Sequence, residues 1–201
     1  MKNKKEQILD MAFSLFLEKG YDNTSISDIL SKLDIARGTL YYHFESKEAI
    51  MDAIIERSAK SIVEEAQSIV LKKELSAYEK IFALFSGTSM KRMSGGDLII
   101  DYLNQPQNAL FHEKSNRSVI QKITPILGDI IKEGVDEGSF TNDFPYESAE
   151  LILTMIMGFM DVTFEAMDEN DLNRRLEGLL YNMERMLGAK EGSFAGFKAL
   201  M

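Results

Sequence analysis

The sequence contains no cysteine and no tryptophan, and it has only three prolines among 201 residues. Without cysteine there is no disulfide framework, no thiolate metal site and no cysteine nucleophile, which is typical of a reducing compartment. No apolar stretch reaches the roughly 20 residues that cross a membrane, and the basic N-terminus lacks the apolar core of a signal peptide. These absences predict a soluble, cytoplasmic protein with no membrane partner.

The sequence also has little from which an active site could be built. His43 and His112 are its only histidines. We find no histidine and carboxylate cluster with metal-ligand spacing, no glycine-rich phosphate loop and no nucleophile elbow. We therefore expect no enzyme activity, no metal and no cofactor, and a helical small-molecule enzyme stays a remote alternative.

The charge is acidic overall but unevenly distributed. The net charge is −9; the first 60 residues hold nine basic and ten acidic side chains, and the remainder holds 14 and 22. A near-neutral segment can approach a polyanion, whereas an acidic one is repelled. The N-terminal segment is therefore the candidate for contact with nucleic acid.

Helical periodicity runs along most of the chain, and no alternating β-branched run predicts a strand. We expect Gly20 to be a left-handed cap on the first helix, Tyr21 to fold back onto Phe16, and Ser25 and Asp28 to form a capping box. The structure of the glycine-rich tail after Gly188 is left open. The pattern predicts an all-α fold of about nine helices, at 5–19, 25–33, 36–44, 46 into the seventies, 76–88, 97–104, 107–135 with a possible break at Pro125, 146–168 and 171–188.

Two of these predicted helices are short and close together. The helices at 25–33 and 36–44 are separated by a turn of about three residues and follow a longer one, which is typical of a helix-turn-helix. In that motif the second helix enters the major groove of DNA. Donors, a small residue and aromatic rings crowd this second helix: Arg37, Gly38, Thr39, Tyr41, Tyr42 and His43.

Two segments of this region carry a more specific signal. They are GYDNTSISDI at 20–29 and GTLYYHFESKEA at 38–49. Both resemble the DNA-binding domain of transcriptional regulators of the TetR/AcrR family, and the resemblance covers about residues 5–55. It implies a helix-turn-helix DNA-binding domain over residues 1–50 and a helical ligand-binding and dimerisation domain over residues 51–201.

The resemblance assigns roles to individual side chains. Asp34 departs from it, because the family usually has glycine in the turn, and Ala36 departs because a serine cap is often found there. Tyr41 and His43 could instead be packed in the core. The implied DNA contacts are Arg37, Gly38, Thr39, Tyr42 and His43 on the recognition helix, Tyr41 with even odds, and Ser25, Ser27 and Lys47 on phosphates.

The C-terminal helices suggest an assembly and a pocket. In similar proteins the last two helices form a dimeric four-helix bundle, which implies a homodimer with Leu151, Leu172, Leu176, Leu179, Leu180, Met183 and Leu187 at its interface. An apolar set could be ordinary core, but the resemblance favours a pocket for a small-molecule effector. Its predicted lining is Phe82, Phe85, Met90, Met93, Tyr102, Phe111, His112, Met155 and Phe159.

These observations predict a ligand-responsive transcriptional regulator. We expect a homodimeric repressor that leaves a palindromic, double-stranded DNA operator when a small apolar or amphipathic effector binds. The alternative is a DNA-bound helical protein that recruits a protein partner and has no small-molecule inducer.

Overall fold

The computed structural model describes residues 3–87, 108–163 and 168–200. Within these ranges the chain is all-α, as predicted, with eight α-helices, one 3-10 helix and no strand. The predicted helix at 97–104 lies outside the described residues. The α-helices are α1 (Lys4–Lys19), α2 (Ile26–Leu33), α3 (Arg37–His43), α4 (Lys47–Val70), α5 (Ala77–Gly87), α6 (Ala109–Asp136), α7 (Pro145–Thr163) and α8 (Glu169–Leu187), and the 3-10 helix is Ala195–Leu200.

The chain divides into two compact units. The first comprises residues 1–60 and 93–118, and the second comprises residues 61–92 and 119–201. The first unit is therefore larger than the segment 1–50, because it includes the first half of α4 and the start of α6.

The first unit is built around a small apolar core. On α1 the buried side chains recur at helical spacing, from Ile8 to Phe16. They share this core with Ile29 of α2 and Leu40 of α3, both fully buried. Arg57 of α4 donates to Glu6 at 2.9 Å and to Asp10 at 2.8 Å, so an ion-pair network also ties α4 to α1.

The conformations of the turns in the first unit agree with those predicted from their residues, except at Gly20. Gly20 does end α1, but its φ of +89° and ψ of 153° lie outside the left-handed cap that we predicted, in a region that only glycine adopts readily. Tyr21 packs edge-on against Phe16, with ring centroids 5.1 Å apart. The capping box between Ser25 and Asp28 is present. Asp34 takes the left-handed conformation, with φ of +50°.

The second unit packs α5, α7 and α8 with the adjoining parts of α4 and α6. Pro125 lies inside α6, which runs without a break from Ala109 to Asp136, so the predicted interruption is not found. The Phe140 ring lies where a side chain at Gly134 would project. Glycine at position 134 is therefore required by the close approach of this ring.

The tail folds back onto the second unit. Gly188 ends α8 in the left-handed conformation. The buried Glu184 carboxylate then accepts hydrogen bonds from the backbone N–H groups of Gly192 and Phe194, each at 3.0 Å. Phe194 and Phe197 are buried in the core. The tail is therefore an ordered part of the second unit.

Candidate DNA-binding surface

The recognition helix is anchored by one apolar side and leaves its other side to solvent. Leu40 is fully buried and Phe44, the residue that ends α3, is 5% exposed. The opposite side carries Tyr42, which is 84% exposed. Such a large exposed ring is costly to leave in water, and aromatic rings are common at binding surfaces. Arg37, Gly38 and Tyr41 are also exposed, whereas Thr39 and His43 are half-buried.

The exposed side chains of α3 are arranged in two contacting pairs. The Arg37 guanidinium lies 5.4 Å from the centre of the Tyr41 ring, and its Nη2 donates to the Tyr41 hydroxyl at 3.4 Å. The Tyr42 ring is edge-on to His43, with centroids 5.0 Å apart. Tyr41 is thus a surface residue, and the half-buried His43 packs against its neighbour on the same surface.

Gly38 has no packing reason to be glycine. A Cβ atom built at this position meets no atom within 4 Å, and its φ is not positive. Glycine in a helix costs about 1 kcal/mol relative to alanine. A requirement for close approach by an outside partner would account for this residue, since it lies on the exposed side of α3.

The start of α2 is less open to phosphate than the sequence suggested. The Ser25 hydroxyl donates to Asp28 at 2.6 Å, and the same carboxylate pairs with Lys19 at 2.9 Å. These hydrogen bonds from Ser25 and Lys19 hold the pKa of Asp28 well below its usual range. Ser25 is therefore engaged as a helix cap, while Ser27 is exposed on the same turn.

Lys47, which the resemblance places on a phosphate, makes contacts within the protein. Its Nζ donates to the Tyr21 backbone oxygen at 2.7 Å and lies 4.1 Å from the centre of the Tyr21 ring. Burial lowers the pKa of Lys47. In this structure the ammonium joins the start of α4 to the turn after α1, so it positions the recognition helix.

The structure also reveals positioning residues that the sequence did not indicate. The buried Asn108 accepts a hydrogen bond from the Tyr21 N–H at 3.0 Å. Lys114, on the first turns of α6, bonds to Glu48 at 2.7 Å and to Asp52 at 2.8 Å. The partners are between 62 and 87 residues apart in the chain. Because no local pattern links residues so distant, sequence periodicity could not find these contacts.

The predicted pocket residues are only partly brought together. Phe82 and Phe85 both contact the Phe197 ring. Met155 and Phe159 are half-buried against the core of the second unit. Phe111, which is buried, and His112, whose Nε2 lies 3.0 Å from the Asn116 amide nitrogen, belong to the first unit. Three further predicted residues lie outside the described ranges: Met90, Met93 and Tyr102.

The residues predicted for the dimer interface fall into two groups. Leu151 is 59% exposed, and Leu172 is also exposed. The other five lie inside the core of the second unit, on the side of α8 that faces its own chain, and therefore form no exposed face. They are Leu176, Leu179, Leu180, Met183 and Leu187. The apolar spacing of α8 was thus a core pattern.

No helix among the described residues is long and apolar enough to cross a membrane. The same residues include no group of three or more histidine, aspartate or glutamate side chains that could hold a metal ion.

Comparisons with known proteins agree with this geometry. Residues 8–54 match the family model of bacterial regulatory proteins of the tetR family, and residues 94–179 match that of the tetracyclin repressor-like C-terminal domain. The chain is 37% identical over 81 residues to the biofilm operon icaADBC HTH-type negative transcriptional regulator IcaR of Staphylococcus aureus. This match covers 40% of the chain and only 41% of that relative's length.

More distant similarity extends over at least 90% of the chain. It is 26% identical to the fatty acid metabolism regulator protein of Bacillus subtilis over 90% of the chain and 92% of that protein. A TetR-family regulator from Pectobacterium atrosepticum superimposes with a TM-score of 0.68 at 21% identity, over 92% of this chain and 98% of that one. The structure of RolR without ligand superimposes with a TM-score of 0.63 at 18% identity, over 94% of this chain and 93% of that one.

These two structures are too distant in sequence to show more than the fold. The two family models together cover well over half of the chain, and the first of them contains the whole of the α2–α3 motif with its exposed aromatic surface. The protein is therefore a transcriptional regulator of the TetR family.

Proposed function

We propose that this protein is a homodimeric repressor whose α3 surface reads an operator and whose affinity for that operator is lowered by a small effector. One observation carries the DNA-reading part of the proposal. Arg37, Gly38 and Tyr42 are exposed on one short helix that Leu40 fixes to the core. Guanidinium and hydroxyl groups can bond base edges and phosphates, and glycine permits close approach. The IcaR relative, named as a negative regulator, supports repression.

A pair of exposed helix faces supports the homodimer. On α7 the exposed positions Leu151, Thr154 and Gly158 recur at helical spacing. On α8, Tyr181 is exposed, and a Cβ at Gly178 would meet nothing within 4 Å. Small residues beside large exposed apolar ones let a partner's helices approach closely. Two copies of this α7–α8 face would present two recognition helices to a palindromic site.

The effector part of the proposal rests on the second unit. Met155 and Phe159 are half-buried on α7, and methionine adapts to ligands of irregular shape. An effector that binds the DNA-free form more tightly than the DNA-bound form lowers the affinity of the protein for its operator. By linkage, operator DNA lowers the affinity for the effector by the same factor. The coupling is typically about 1–3 kcal/mol, or about 5- to 150-fold.

The direct test uses fluorescence anisotropy with DNA from upstream of the protein's own gene. Tyr42→Ala is expected to weaken specific binding by about 1–3 kcal/mol. Leu71→Ala, which truncates a side chain that is 78% exposed just after α4, outside both α3 and the α7–α8 face, serves as the control. Unchanged affinity in Tyr42→Ala would contradict the assignment of α3.

The effector is tested by adding fractions of a metabolite extract to the same complex. Release of DNA by one fraction, and recovery of the molecule responsible, is the expected result. DNA binding that no fraction alters would favour the alternative in which the bound protein recruits a protein partner.

A further inference from the structure

A groove of about 370 Å³ lies between α5 and the C-terminal segment, within the second unit. Leu75, Phe82 and Ala83 line it from one side, and Phe197 lines it from the other. Its polar lining includes Glu79 and Ser193. Of the residues predicted for the effector pocket it contains only Phe82, so it is a different site. Its volume suits a small organic molecule, since ligand pockets begin at about 300 Å³.

The tail wall of the groove is fixed in place. The Phe197 ring is perpendicular to the Phe82 ring, with centroids 5.3 Å apart, and lies 5.0 Å from Phe194. The Glu184 carboxylate fixes the backbone at Phe194, and Lys198 pairs with Glu177 on α8 at 2.7 Å. Because the aromatic wall is already ordered, a ligand would not have to pay for its ordering.

The charged residue in the groove lining determines which sign of charge a bound ligand should carry. Among the described residues that line it, Glu79 is the one charged side chain, and none is lysine, arginine or histidine. The Glu79 carboxylate accepts from the Ser76 N–H and hydroxyl, each at 2.8 Å, and these hydrogen bonds lower its pKa. The carboxylate is therefore ionised at neutral pH and attracts a cation while it repels an anion.

Ser193 adds a second, independent feature. Its Oγ is buried and has no hydrogen-bond partner within the part of the chain that the structure describes. A buried polar atom without a partner is destabilising. Because Ser193 lines the groove, a ligand with a polar group could supply the hydrogen bond that its hydroxyl lacks.

We propose that this groove binds a small organic cation with an aromatic or branched apolar body, whose ammonium group lies at Glu79 and whose body packs between Phe82 and Phe197. The carboxylate, the apolar walls and the unsatisfied Ser193 hydroxyl together define this class. Anionic molecules of the same shape should bind more weakly, because the Glu79 carboxylate repels them. The proposal does not depend on the assigned role in transcription, because binding is measured without DNA.

The test compares phenylbutylammonium with phenylbutyrate, which share one apolar body and carry opposite charges. Isothermal titration of the full chain at pH 7 is expected to show the cation binding about two- to fivefold more tightly, as an exposed ion pair allows. Glu79→Gln should remove most of this preference and still cap Ser76, because glutamine serves equally in a capping box. Glu65→Gln, an exposed site on α4, is the matched control.

A second variant blocks the groove without touching its charge. Gly196 lines the groove, its φ is not positive, and a Cβ there would meet only Phe82, at an ordinary 3.9 Å. Gly196→Leu should therefore fold normally and lower the affinity for phenylbutylammonium by about tenfold or more, since the side chain fills the ligand's space. Equal affinities for the two probes, an unchanged preference in Glu79→Gln, or absence of cation binding would overturn the proposal.

Discussion

The aromatic rings of α3 in the first unit and those in the core of the second unit are placed in opposite ways. In the first unit Tyr41 and Tyr42 stand on the surface of α3, held there by the burial of Leu40. In the second unit Tyr78, Phe140 and Phe194 pack against one another, with Phe194 fully buried. Truncating an exposed ring should therefore change stability little, whereas truncating a buried ring leaves a cavity in the core. Within one chain, the α3 rings are therefore candidates for recognition, and the buried rings of the second unit serve packing.

The largest effect should come from placing a charge on the wrong side of α8. Leu180 is 4% exposed, so Leu180→Glu should bury an unpaired carboxylate and destabilise the second unit by at least about 3–5 kcal/mol, with loss of helical circular dichroism. At the dimer interface, where the sequence analysis places Leu180, the same substitution would instead split the dimer and keep the helices.

Leu151→Glu is the matched substitution on the exposed side of α7. It should keep the helical signal and shift the protein to a monomer in sedimentation velocity. A normal dimer in Leu151→Glu would place the interface away from the α7–α8 face.

The aromatic comparison itself is tested by truncating one ring in each unit. Phe194→Ala should lower the free energy of unfolding by about 3–5 kcal/mol, because the ring is fully buried. Tyr42→Ala should change it by no more than about 0.5 kcal/mol, as is usual for exposed positions. Urea denaturation followed by circular dichroism measures both, and similar losses would remove the distinction between the units.

Replacing Lys47 distinguishes a contact within the protein from a contact with phosphate. Because its ammonium bonds to the Tyr21 backbone oxygen, Lys47→Ala should lower stability by about 1–3 kcal/mol. The dependence of DNA affinity on salt concentration should change little, since this charge is engaged within the protein. A slope of log affinity against log salt that falls by about one would instead show a phosphate contact.

Much of this architecture was predictable, and the exceptions share a cause. The helices, the Ser25 cap and the exposed α3 residues are set by neighbours within a few positions, which periodicity and capping rules describe. The roles of Asn108 and Lys114 depend on contacts between segments that are far apart in the chain. The α8 leucines were assigned to the dimer interface for a related reason. An apolar stripe on a helix predicts burial, but it does not show whether the same chain or a second copy covers it.

The smallest effect concerns pH. The pKa of Asp28 is lowered from its ordinary 3.8 by hydrogen bonds from Ser25 and Lys19. Since the folded pKa lies below the unfolded one, this carboxylate contributes stability that is present above about pH 4 and is lost as the pH falls through the folded pKa. Asp28→Asn should therefore make the urea midpoint less dependent on pH between about 4 and 2.5. An acid dependence identical to that of the unmodified chain would show that the capping box does not carry this stability.

The most direct test of the central claim, that α3 is shaped for an outside partner, is Gly38→Leu. A Cβ at this position meets no atom within 4 Å, and leucine is the better helix former, so the free energy of unfolding should stay equal or rise by up to about 1 kcal/mol. The added side chain should obstruct the DNA surface and lower operator affinity at least about tenfold, measured by anisotropy on the same preparation. Operator affinity equal to that of the unmodified protein, with stability equal or raised, would contradict the account.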